Sequence, residues 1–138
     1  MKKTLEELEG NVWPSLTEYP TQMVQKSYEL RKIPISELKP GELRLLLTQN
    51  IGNEFLVPLA IKLLSENILI EAEYFSGDLL LSVIKSDTSF WKSNSEMLEK
   101  MKSMIRYYID DIKESNEIDE DTKINILGAI NRFEALNF

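Results

Sequence analysis

The stretch YFSGDLLLSVIKSDTSFW, residues 74–91, decides how the chain is read. Asp78 follows a Ser-Gly turn and lies between two aromatic pairs, Tyr74-Phe75 and Phe90-Trp91. One reading makes it the acid of an active site, and the other makes it punctuation at the start of a packed helix. Catalysis needs partners, and the 138 residues include no histidine and no cysteine. Imidazole bases, thiolate nucleophiles, disulfides, most zinc sites and the Ser-His-Asp arrangement are thereby removed. Glu71, Glu73 and Asp78 remain as a carboxylate set for acid-base work, but no nucleophile accompanies them, so no enzyme and no cofactor is expected. The helical reading is preferred: Ser76 caps, Gly77 permits the turn, and Asp78 answers the dipole of a short helix over Leu79 to Ile84. Tyr74, Phe75, Phe90 and Trp91 then pin both ends of that helix by packing.

Helical periodicity continues on either side. Thr4-Leu5-Glu6-Glu7 is a capping box opening a short helix, which Trp13-Pro14 ends. Thr21 caps a second helix to about Lys32, with Met23, Val24, Ser27, Tyr28 and Leu30 along one side, before Ile33-Pro34 forces an extended step. Pro40 suits the first position of a third helix whose buried face carries Leu43, Leu46, Leu47, Asn50 and Ile51, with Gly52 at its exit. A fourth, from Glu54 to about Glu66, is apolar all round and is expected at the centre, with Pro58 near its first turn. Ile68-Leu69-Ile70 reads as a connector or a very short strand. A longer helix starts at Ser89 or between Ser93 and Ser95, and Met97, Met101, Met104, Ile105, Tyr108 and Ile112 recur along it at helical spacing, which predicts core methionines. Trp13 and Trp91 are likewise expected to be packed. Asp119 opens a last helix to about Leu136. The expected architecture is all-α: a compact single-domain bundle over residues 1–138 with about six or seven helices.

Composition agrees with a globular protein, at 43% hydrophobic and 28% charged. No apolar run approaches the 18 or so residues of a membrane span, so no membrane is expected as a partner. MKKTLEELEG turns acidic where a signal peptide would be apolar, which makes the cytoplasm the expected location.

Charge is the more specific signal. Sixteen basic residues face 23 acidic ones, a net charge of -7, so nucleic acid is not an expected partner and a basic protein is. Five of the seven excess negative charges fall after residue 109. Asp110, Asp111, Glu114, Glu117, Asp119, Glu120 and Asp121 crowd the end of one helix and the start of the next, and are the candidate partner-binding residues. They fit a surface that mimics phosphate and steers a basic partner. They also fit a solvated junction in which Asp119 caps and its neighbours answer the dipole. A calcium loop fits poorly, because NEIDED (residues 116–121) lacks the glycine and the final glutamate of an EF-hand.

Taken in order, MKKTLEELEG, Trp13-Pro14, LRKIPI (30–35), ELRLLLTQNIG (42–52), FLVPLAIKLL (55–64), YFSGDLL (74–80) and Phe90-Trp91 resemble the α-helical immunity proteins of bacterial contact-dependent growth inhibition (CDI) systems. Ser76 stands where that pattern has proline, and Asn53-Glu54 where it is more apolar. The resemblance covers about the first two-thirds of the chain, leaving 92–138 to physics alone. It implies a cytoplasmic protein that binds and neutralises the C-terminal toxin domain delivered by neighbouring cells, by stoichiometric occlusion, many such toxins being nucleases. A helical adaptor or regulator of a basic host protein is the alternative.

Overall fold

The computed structural model describes residues 2–138, which form eight helices: α1 Leu5–Glu9, α2 Gln22–Leu30, α3 Pro40–Thr48, α4 Asn53–Glu66, α5 Asp78–Ile84, α6 Thr88–Ser93, α7 Ser95–Glu114 and α8 Glu120–Glu134. A 3-10 turn, Ile35–Glu37, precedes α3. Among the described residues there is no sheet, only isolated bridges between Thr4 and Pro34 and between Glu71 and Ser76. Ile68 to Ile70 is therefore a connector.

The caps follow local chemistry. Thr4 Oγ1 accepts from Glu7 N, and Glu7 Oε1 accepts from Thr4 N, both at 3.2 Å, which completes the box at α1. Thr21 Oγ1 accepts from Val24 N at 3.1 Å at the head of α2. Pro40 occupies the start of α3, where it has no N–H to lose.

Several boundaries differ from expectation, each for a local reason. α3 stops at Thr48, and the chain turns through left-handed Asn50 (φ 56°) before Gly52 (φ 69°), which begins α4 instead of ending α3. Pro58 is the sixth residue of α4, so the Glu54 carbonyl loses its i+4 donor. Both residues are exposed, on the solvent side of the helix. The long helix begins at Ser95, the later of the two expected starts, and Thr88–Ser93 is a separate short helix, because Asn94 (φ -135°, ψ 59°) breaks the spiral between them and its side-chain amide donates to Phe90 O at 2.8 Å. Hence there is one helix more than the expected maximum.

α5 is the centre, a place the periodicity assigned to α4. All seven of its residues are buried, and it packs on α3, α4 and α8. α4 buries Leu56, Val57, Ala60, Ile61 and Leu64 but keeps an exposed side. Trp91 is fully buried, edge-on to Phe90 and Phe133. Met101 is buried and Met97 and Met104 pack partly against the core, as the spacing predicts. Met23, by contrast, is exposed, because only Ser27 and Leu30 of α2 reach the interior.

The N-terminal segment is fastened by one buried cation. Arg31, 1% exposed, donates to Asn11 O at 3.0–3.1 Å and to Glu9 Oε1 at 2.5 Å, and its guanidinium lies 4.1 Å from the centroid of the half-buried Trp13 ring. Charge-assisted bonds and a cation–π contact reinforce one another here. Arg31→Ala is expected to lower the unfolding free energy by about 2–3 kcal/mol, read as a reduced urea midpoint with an unchanged slope.

Candidate functional site

The acidic junction is built by α7 and α8. One stripe of α7, including Leu98, Met101, Ile105 and Ile112, is buried, which leaves Asp110, Asp111 and Glu114 on the solvent side of its last turns. Ser115 leaves the helix in an extended conformation, and its Oγ accepts from Glu117 N at 3.1 Å. Ile118 is buried and anchors the link. Asp119 Oδ1 accepts from Thr122 N at 2.7 Å and so starts α8, with Glu120 and Asp121 in its first turn. The Thr122 hydroxyl and N–H hold the Asp119 carboxyl below the usual aspartate value. Lys123 Nζ donates to Lys113 O at 2.8 Å, which ties the two helices together.

All seven predicted acids are exposed, and none forms an ion pair among the described residues. Three of them converge. Asp111, Glu114 and Glu117 line an open groove of about 600 Å³, together with Glu66 and the turn after it. Tyr108 OH donates to Ser65 O at 2.9 Å and keeps α7 against the end of α4. Glu66 ends α4 and Glu114 ends α7, so the negative ends of two helix dipoles meet beside these carboxylates. Asp110, Asp119, Glu120 and Asp121 lie outside the groove lining. The sequence reading missed Glu66, which lies 45 residues before Asp111. Such a recess can accept lysine and arginine side chains. Among the described residues, no group of three or more Asp or Glu side chains is placed to hold a metal ion.

Asp78 stands in the first turn of α5, as expected, and has a further role. Ser76 makes no cap; left-handed Gly77 (φ 93°) starts α5, and a Cβ there would stand 2.6 Å from Ile126 Cδ1. The Asp78 side chain turns back on the preceding loop. Oδ1 accepts from Ala72 N at 2.7 Å, and Oδ2 accepts from Glu73 N and Tyr74 N at 3.0 and 2.8 Å. Burial raises the cost of its charge, but the N–H groups of Tyr74, Ala72, Glu73 and Phe75 together outweigh it and hold the carboxyl below its usual value. Asp78 is thus a latch for the loop over 71–76. Tyr74 and Phe75 do not pin the helix from inside: they are 67% and 36% exposed. Glu71 and Glu73 face solvent, away from any paired arrangement with Asp78.

The fold is that of a small all-α protein with an exposed acidic junction between its last two helices. The chain belongs to the family of CDI immunity proteins, whose family model matches residues 7–101. Members of that family neutralise a cognate toxin protein by binding it, and they are inhibitors, not enzymes. Comparison with curated proteins and with solved structures finds no match. No helix among the described residues is long and apolar enough to cross a membrane. The matched residues take in the Asp78 latch and the start of α7; the acids from 110 to 121 lie beyond them.

Proposed function

We propose that this protein, acting as a single domain in the cytoplasm, neutralises a basic nuclease toxin by stoichiometric occlusion. Asp110, Asp111, Glu114, Glu117, Asp119, Glu120 and Asp121, joined by Glu66, form the contact surface. The observation that carries this reading is the groove in which four exposed carboxylates meet two helix C-termini. Unpaired like charges repel one another and are unfavourable in the free protein, and a basic partner reverses the sign of that interaction. Their position outside the family-matched residues supports a role in choosing the cognate toxin, with the shared helices as scaffold.

The test is co-expression with the toxin domain encoded immediately upstream. Protection of cells and a 1:1 complex of purified proteins are expected. Absence of both, with capture of an unrelated basic host protein, would sink the immunity reading in favour of an adaptor.

A further inference from the structure

On the face formed by α3, α5 and α8 the charge has the opposite sign. A cavity of about 300 Å³ opens there, with Arg44 of α3 and Lys85 at the end of α5 in its wall and Asn125 of α8 completing it. Two cations thus share one small recess in a chain of net charge -7. Among the described residues Asp78 is the only acid in that wall, so the formal charges leave the recess net positive. Its two oxygens already accept three backbone N–H groups. Arg44 Nε stays 3.6 Å from Asp78 Oδ2, out of water and without a hydrogen bond. The contact is an ion pair, and the Arg44 side chain as a whole is 20% exposed.

Arg44 is also held in place before any ligand arrives. Its guanidinium lies 4.6 Å from the centroid of the Tyr74 ring, and the Asp78 latch fixes Tyr74 through its backbone. Lys85 is exposed and forms no ion pair among the described residues. Leu47, Leu81 and Phe75 supply apolar wall to the same recess. An apolar wall beside a guanidinium and an ammonium matches a methylene stem that ends in one carboxylate. A phosphate dianion is a poorer match, because Asp78 repels the second negative charge.

We propose that this recess is a socket for a single glutamate-type side chain of the toxin domain. The proposal rests on the immunity reading above. It makes the interface bipolar: basic groups of the toxin enter the acidic groove, and one acid enters the socket, so the two signs together set orientation.

Lys85→Glu separates the socket from general electrostatics by the sign of its effect. Attraction between an acidic protein and a basic toxin predicts tighter binding when a lysine becomes a glutamate. The socket predicts the reverse. Calorimetric titration of the purified cognate toxin domain is expected to show binding weakened at least tenfold by Lys85→Glu, and within about twofold of wild type for Lys85→Arg, with unchanged melting temperatures. Arg44→Gln is expected to weaken binding similarly, and Lys85→Glu serves where Arg44→Gln perturbs the loop. Unchanged or tighter binding by Lys85→Glu overturns the socket while leaving the immunity reading intact. A wild-type protein that does not bind the toxin overturns the immunity reading, and the socket with it.

Discussion

Reversing Asp110, Asp111, Glu114 and Glu117 to lysine is expected to slow association with the toxin domain by about 100-fold at low ionic strength, with a much smaller change in dissociation. All four side chains are exposed and free of ion pairs among the described residues, so they act chiefly through the long-range field that guides encounter. The Debye length is about 8 Å at physiological salt. The wild-type association rate should therefore fall steeply with added salt, and the reversed variant should lose that dependence.

Stability should not suffer. Three of the four positions lie in the last turns of α7, where a lysine meets the negative end of the dipole and gains roughly 0.3–1 kcal/mol. Relief of repulsion among the acids acts in the same direction. Stopped-flow association and a thermal melt measure the two effects separately. Unaltered association rates and unaltered protection of cells would remove the acidic groove from the interface and leave family membership untouched.

The second large effect falls on the latch. Asp78→Ala strips the acceptor from three part-buried backbone N–H groups and is expected to lower the unfolding free energy by about 3 kcal/mol. Asp78→Asn retains one acceptor oxygen, so its loss should be smaller. Because the backbone N–H groups hold the folded carboxyl below the usual aspartate value, the charged form is favoured by folding. The Asp78 contribution is therefore complete above the unfolded-state pKa and is lost as pH falls through the lower folded-state value. Urea melts at neutral pH and near pH 3 should show the gap between wild type and Asp78→Asn narrowing on acidification. A gap that widens would contradict the latch geometry.

Helix existence was legible because it is local. The Thr4 and Thr21 caps, Pro40 at its helix start and Asp119 as a cap all depend on residues within one turn, and each is where the sequence places it. The start of the long helix at Ser95 was one of two readings the sequence offered, but the separate short helix before it was not legible, since it depends on the Asn94 side chain bonding back to the Phe90 carbonyl. The centre of the core was misplaced for a related reason. α4 has the longer apolar run, but α5 is short enough for α3, α4 and α8 to surround it, and no single-helix pattern contains that information.

The site divides along the same line. The sequence alone established the acidic character, the absence of histidine and cysteine and the concentration of charge after residue 109, because these are counts of residues by type and position. Tertiary structure decided which charges act together. It set Glu66 beside Asp111, Glu114 and Glu117, left the other four predicted acids outside that groove, and brought Arg44 and Lys85 to one recess. It also made Asp78, a helix-start charge, the anchor of its own preceding loop as well. The physical reason is range: a cap or a dipole is satisfied within four residues, whereas a groove or a socket exists only where helices distant in sequence meet.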